Sequence, residues 1–317
     1  KSEWLRSPFL LILTNHIYSP ICYIAMRISG LSSAALLVVA YSITWRCSAS
    51  ARIKRKVQRL NVTAPIVDCD PNNQNVNGPV RRVVFYGGTF DPPTTAHLHV
   101  ARVALREADC VWLSAVAHPD YKPGKADIKL RYEMLSYSFG RDAGVMKVTG
   151  AYENSYNEAV AKNDTEGMKL QRMDITAYGW LSRNYPNTHF DWLVGADSLT
   201  PGGPYTEEGW RDILRAVASK QGRILVLSRG SAETTGYEKG LCDKWDVNPS
   251  VFVHLGDVDM RAYSDVSSSR IREIMKQAVN GGGITPLRQD LTTAGLPPAL
   301  LDYLEGKPAV AIKYIGG

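Results

Sequence analysis

Residues 80–317 predict an α/β fold: a doubly wound parallel sheet preceded by an N-terminal extension. Two observations carry this expectation. From residue 81 onward, short apolar runs alternate with segments of helical periodicity, the order produced by parallel strands joined through crossover helices. The first apolar run, Arg82 to Tyr86, also stops at two glycines, passes Phe90-Asp91-Pro92-Pro93 and restarts as AHLHVARVALREA. In that restart Ala101, Ala104, Leu105 and Ala108 share one face, with charges opposite.

The elements follow in order. Strand 82–86 leads through the glycine turn to helix 96–108, and the apolar CVWLSAVA gives strand 110–117. Helix 127–139 contains LRYEML, and strand 145–149 comes next. A helix at 173–184 precedes strand 189–195 (HFDWLVG), and helix 207–218 places Trp210, Ile213 and Leu214 in helical register. Strands 223–228 and 250–255 and helices 268–279 and 297–305 complete the set. No repeat is visible, and residues 150–172 have no assigned element. Ligands of such sheets bind beyond the carboxyl ends of the strands, where both the glycine turn and Gly195-Ala196-Asp197 fall.

Composition is that of a globular chain, with 44% apolar and 21% charged residues over 317 positions. The net charge of +6 is concentrated at one end. Residues 1–79 hold nine Lys/Arg against three acids, so residues 80–317 carry 28 of each sign. Residues 80–317 are therefore neutral, and no nucleic-acid partner is expected. Residues 1–60 form the extension. The chain starts at Lys1, and its first methionine, Met26, opens Met26-Arg27, an apolar stretch from Leu31 to Ile43 and Ala49-Ser50-Ala51. This pattern matches a secretory signal with an A-x-A cleavage site. A basic run (Arg52, Lys54, Arg55, Lys56, Arg59) follows, as in a transit peptide or stop-transfer flank. A targeting segment is expected; the rival readings are a membrane anchor, with residues 8–45 as the membrane contact, and a gene-modelling artefact. Without such a segment the location would be cytoplasmic. Residues 61–79 are polar, contain three prolines and read as a linker. Of five cysteines, Cys69, Cys110 and Cys242 lie outside the extension; three thiols cannot all pair, which suits a reducing compartment.

Chemistry concentrates in two places. Glycine lets a backbone approach a phosphate, and the first turn of a helix offers unpaired N–H groups. Thr94 and His97, three apart at that turn, bring a hydroxyl and an imidazole toward the same anion; His99 falls on the other face. Far along the chain, Ser267-Ser268-Ser269 opens a helix, and Arg270 and Arg272 supply guanidinium forks suited to phosphate oxygens. Alone, this would be an ordinary capped helix. Joined to the glycine turn, it reads as the second half of a triphosphate site.

Residues 87–97 resemble the (H/T)xGH signature of the nucleotidylyltransferase superfamily in its GGTFDPxHxGH form, and Val266 to Arg272 resembles that superfamily's ISSTxIR box. His189 to Leu199 resembles the vGaDsl element of nicotinate and nicotinamide mononucleotide adenylyltransferases, and Ile224 to Gly230 the strand ending in Arg that follows it. The resemblance implies a Rossmann-like nucleotidylyltransferase fold and transfer of the adenylyl group of ATP to one of these mononucleotides. The products would be a dinucleotide and pyrophosphate, with Mg²⁺ accompanying ATP and a homo-oligomer expected. It assigns His97, Thr94 and Arg272 to catalysis, and Gly87, Gly88, Thr89, Phe90, Asp197, Ser268 and Ser269 to ATP. Lys125 (or Lys122), Thr176 and Trp210, with Tyr205 as the other aromatic, would serve the mononucleotide. Arg131 matches an R-x-x-M-L helix. Two departures define the rivals. Thr94 is the variant usual in phosphopantetheine adenylyltransferases, and Ala96 replaces the motif glycine, which suggests a nucleotide-binding relative with weakened catalysis.

Overall fold

The computed structural model describes residues 69–70, 80–122, 124–142, 144–227, 234–256, 260–263, 265–281 and 283–307. The extension expected to target the chain or contact a membrane, including residues 8–45, lies outside them. Among the described residues, no helix is long and apolar enough to cross a membrane.

Six strands form one parallel sheet: β1 (Arg81–Gly88), β2 (Cys110–Ala115), β3 (Met146–Val148), β4 (Thr188–Gly195), β5 (Ile224–Leu227) and β6 (Phe252–His254). Their order is β3-β2-β1-β4-β5-β6, and each neighbouring pair is parallel. This is the doubly wound arrangement that the alternation predicts, with the winding direction reversing between β1 and β4. Burial on both faces explains why the strands read as continuous apolar runs. In β1, Val83 and Phe85 join the core on one side of the sheet, while Val84 and Tyr86 join the other.

Helices cover both faces: α1 (Thr95–Ala104), α2 (Ile128–Phe139), α3 (Ala151–Ala161), α4 (Met173–Asn184), α5 (Glu207–Ala218), α6 (Thr235–Trp245), α7 (Ser268–Gly281), α8 (Arg288–Thr293) and α9 (Pro298–Gly306). A third apolar cluster joins α7, α8 and α9 to Met134 of α2 through Ile271, Met275, Leu291 and Leu300. It fixes α7 relative to the sheet. The sequence did not reveal α3, α6 or α8. The buried face of α3 is Ala151, Tyr152, Ser155 and Ala159, too small and polar to give an apolar stripe. In α6 that face includes Glu238, and Gly236 and Gly240 interrupt the pattern.

The thiols differ from expectation. Cys69 and Cys110 form a disulfide, and Cys242 is buried and free. The spacing gave no sign of this, because the pairing depends on Cys69 reaching the first residue of β2. Around it, Trp112 Nε1 donates to the Cys69 carbonyl at 3.0 Å, and Arg81 donates to the Asp70 carbonyl at 3.4 Å. These two residues of the expected linker are thus docked on the sheet.

The bridge spans 41 positions, for which loop-closure entropy predicts about 4 kcal/mol of stabilisation. Urea unfolding of the oxidised chain should therefore occur at clearly higher denaturant than that of the reduced chain or of Cys69→Ser. Coincident curves would show that the bridge does not constrain the unfolded state.

Candidate active site

The crevice at the carboxyl ends of β1 and β4 opens into a cleft of about 1080 Å³, large for one drug-sized ligand and suited to two nucleotides. Its floor is the glycine turn. A Cβ at Gly87 would lie 2.1 Å from the Tyr152 hydroxyl, so the close approach of Tyr152 requires glycine there. A Cβ at Gly88 would press on the Phe90 ring at 3.0 Å. Phe90, at φ 49°, turns its buried ring edge-on to Tyr86 and His97, with centroids 5.3 and 5.1 Å away.

Thr94 and His97 close a reciprocal cap at the start of α1. The His97 amide donates to Thr94 Oγ1 at 3.3 Å, and the Thr94 amide donates to His97 Nδ1 at 3.0 Å. The hydroxyl also lies 2.8 Å from Nδ1. Because Nδ1 accepts from a backbone amide, the proton of the neutral ring is assigned to Nε2. His97 lines the cleft as a donor whose orientation the cap sets.

From across the cleft, α7 is joined to the same turn. Ser268 Oγ donates to the Pro92 carbonyl at 2.7 Å, and Arg272 donates to the Asp91 carbonyl and, at 3.0 Å, to Ser269 Oγ. The turn is held from beneath by Arg131, which is 1% exposed and donates to the carbonyls of Ala126 (2.9 Å) and Thr89 (3.0 Å). Burial lowers the pKa of this guanidinium, and the charge of Asp91 opposes the shift. Arg131 therefore positions the turn from outside the cleft.

Gly87, Gly88, Thr89, Phe90, His97, Asp197, Ser268, Ser269 and Arg272 all line the cleft. Thr94 is buried behind His97. A Cβ at Gly195 would fall 2.2 Å from Asp197 Oδ1, which accounts for the glycine of Gly-Ala-Asp.

The three residues expected at the mononucleotide lie elsewhere. Trp210 is fully buried, packed edge-on to Tyr205 at 5.2 Å; its helical register buried it in the core, and Tyr205 is the aromatic that lines the cleft. The Thr176 hydroxyl is bonded to the Arg172 carbonyl at 2.9 Å, and the residue lines a small separate cavity beside His118. Lys125 is turned back onto the carbonyls of Pro119 and Tyr121, and burial, then the charge of Arg131, lowers its pKa. Lys122 lines the cleft instead. His99 stacks on Tyr263 at 4.8 Å.

Sequence reasoning missed Asp174 and Tyr152. Both line the cleft with Tyr205. Tyr152 and Tyr205 donate to the two carboxylate oxygens of Asp174, at 2.5 and 2.7 Å. Burial raises the pKa of Asp174 against the opposing effect of both hydrogen bonds, and burial also raises both phenols. Asp174 stands in the first turn of the expected helix 173–184, but nothing in the sequence indicated that a tyrosine of residues 150–172 would meet it.

A glycine turn at the switch point, an imidazole at a helix start and an opposing Ser/Arg helix define a nucleotidyltransferase of the parallel α/β class. The chain belongs to the cytidylyltransferase-like family, whose profile matches residues 85–274. It is 28% identical over 157 residues to a probable nicotinate-nucleotide adenylyltransferase of Gluconobacter oxydans, covering 48% of this chain and 72% of that one. A protein of the same name from Methylorubrum extorquens is 32% identical over 125 residues, covering 37% and 57% of the two chains. Among solved structures, the nicotinic acid mononucleotide adenylyltransferase of Plasmodium falciparum complexed with NaAD aligns with a TM-score of 0.48 at 14% identity, covering 73% of this chain and 97% of that one. The family profile bears out the nucleotidylyltransferase motifs, and these sequence relatives carry the pyridine mononucleotide adenylyltransferase name that the motifs resemble.

Replacing Thr94 by Ala should cost about 1 kcal/mol through loss of the cap and lower turnover by releasing the His97 ring, whereas Thr94→Ser should preserve both. Denaturation and steady-state rates of the three proteins check this. If Thr94→Ala retains wild-type stability and rate, the cap does not orient His97.

Proposed function

We propose that the protein transfers the adenylyl group of ATP to nicotinate or nicotinamide mononucleotide. An oxygen of the mononucleotide phosphate attacks the α-phosphorus, the bond from that phosphorus to the α,β-bridging oxygen breaks, and pyrophosphate leaves with the electron pair. No covalent enzyme intermediate is needed, so positioning and electrostatics supply the rate. The observation that carries this reading is the His97 ring, clamped by Thr94 and lining one cleft with the glycine turn, Ser268 and Arg272.

In this reading His97 Nε2–H donates to an α-phosphate oxygen, and the amides of the turn approach the same group. Ser268, Ser269 and Arg272 hold the β- and γ-phosphates, and Asp197 takes ribose hydroxyls. The carboxylates lining the cleft are not gathered into a metal cage: among the described residues, no group of three or more His, Cys, Asp or Glu is placed to hold an ion. A Mg²⁺ ion would arrive on the triphosphate, the usual habit of this cation, where it would neutralise phosphate charge. The names of the sequence relatives support a pyridine mononucleotide as acceptor.

Purified full-length chain with ATP·Mg²⁺ should form dinucleotide and pyrophosphate from a pyridine mononucleotide but not from phosphopantetheine; the reverse preference, or nucleotide binding without turnover, refutes the proposal. His97→Ala should lower kcat about 10²–10³-fold, the usual loss for a preorganised charge-stabilising donor; retention of half the rate would remove His97 from the chemistry.

Arg272→Ala should raise the ATP KM far more than the mononucleotide KM. Charged hydrogen bonds contribute roughly 1.5–3 kcal/mol, equivalent to about a 10- to 150-fold change. Equal losses for both substrates would mean that Arg272 only braces the Asp91 turn.

A further inference from the structure

Helix α8 ends on Gly295, which is buried and has a φ of 91°. The Gly295 amide donates to the Thr292 carbonyl at 3.0 Å, and the Leu296 amide donates to the Leu291 carbonyl at 2.9 Å. These are the paired bonds that close a helix on a left-handed residue, a conformation glycine adopts without steric cost. Leu291 and Leu296 are fully buried in the third apolar cluster, so the closure is anchored. Helix termination explains the φ of Gly295 but not its surroundings. Its carbonyl accepts from the amide of Thr95, the first residue of α1, at 2.8 Å. A Cβ on it would lie 2.5 and 2.7 Å from the two methyl carbons of Val266 and 3.0 Å from Thr95 Oγ1.

Thr95 stands two residues before His97, and Val266 two before Ser268. One glycine therefore touches the chain just ahead of both halves of the site. None of Gly295, Thr95 and Val266 lines the cleft, so the contact acts from behind it.

On the reading of the site proposed above, we infer that Gly295 is a positioning residue that sets the spacing between His97 and the Ser268/Arg272 pair. Its carbonyl fixes the start of α1, and its lack of a side chain lets Val266, and with it the start of α7, close on α1. Carbon atoms pack at about 3.5–4.0 Å, so a methyl at 295 would overlap Val266 by about 1 Å. No side-chain rotation relieves this. The two valine methyls fill two of three staggered positions, and every rotamer keeps one of them at a place already in contact. The backbone at the start of α7 or α1 has to move, and the two halves part.

The test uses the full chain and titration of each substrate at saturating levels of the other. Gly295→Ala should raise the ATP KM about tenfold or more with the mononucleotide KM unchanged, since a misplacement of about 1 Å can cost about 10²-fold. A chain that is only less stable loses apparent kcat and keeps its KM, so this split separates spacing from folding. Gly256→Ala is the control. Gly256 is exposed at φ 64°, and among the described residues nothing lies within 4 Å of its Cβ; it bears the backbone strain alone, and its ATP KM should not move. Adding Val266→Ala to Gly295→Ala makes room for the methyl and should return the ATP KM toward wild type, a coupling that the double-mutant cycle reads. Should Gly295→Ala not fold, Val266→Ala and the double variant decide. The single variant opens a void at the contact and raises the ATP KM; the double variant refills it and lowers the KM again. An unmoved ATP KM in Gly295→Ala, an equal rise for both substrates or an equal rise in Gly256→Ala overturns the inference. So does a double variant that shows no recovery or does not fold, which leaves Gly295 as a helix terminator alone. A wild type without ATP-dependent turnover overturns the reading of the site instead, and the inference falls with it.

Discussion

Everything at the cleft depends on two carbonyls, those of Asp91 and Pro92, being held by side chains from α7. Ser268 and Arg272 lie 176 and 181 residues further along the chain, and their bonds turn two distant motifs into one surface. The cost of closing so long a loop is met elsewhere. Ile271 and Met275, on the adjoining face of α7, are fully buried against α8, α9 and Met134. The apolar contacts place the helix, and the polar contacts only need to finish its alignment. Charged hydrogen bonds can then serve position, because burial has already supplied the stability.

The charges around the turn are distributed to the same end. Arg131 is buried and satisfied by carbonyls beneath the turn, while Arg272 is partly exposed above it and shares Asp91 as a neighbour at 3.9 Å. One cation braces the floor, and the other faces the cleft. Asp91 lies between them with a buried carboxylate oxygen, which limits how far two like charges on either side of one loop repel each other. A lysine could not take the place of Arg131, since a single ammonium cannot reach the carbonyls of Ala126 and Thr89 in the fixed geometry of a guanidinium fork.

How much of this was legible in the sequence depended on the range of the interactions involved. The alternation of β1, α1 and β2, the glycine turn and the Thr94–His97 pair are local and could be read directly. Ser268 and Arg272 were legible because their chemistry is written in adjacent letters. Trp210 misled for a physical reason: helical register says which residues share a face, and that face packs on the core. Lys125 misled because a loop lysine can reach its own backbone carbonyls as easily as a ligand. Tyr152 was illegible, since α3 buries alanine and serine beside it and nothing adjacent marks a site. Asp174 acquires its character only from two hydroxyls, 22 and 31 residues away. Cys69 and Cys110 pair across a stretch that reads as linker, and their meeting is a property of where β2 begins.

The contact between Gly87 and Tyr152 has a consequence for how such proteins diverge. The glycine has a φ outside the left-handed region, so no backbone conformation demands it; only the hydroxyl above it does. Positions 87 and 152 are therefore a linked pair in descent. A lineage that exchanges the tyrosine for a shorter side chain is released from glycine, while one that keeps the tyrosine is bound to it. Variation at one position should be read together with the other, as a record of which lineages kept a hydroxyl over the first strand.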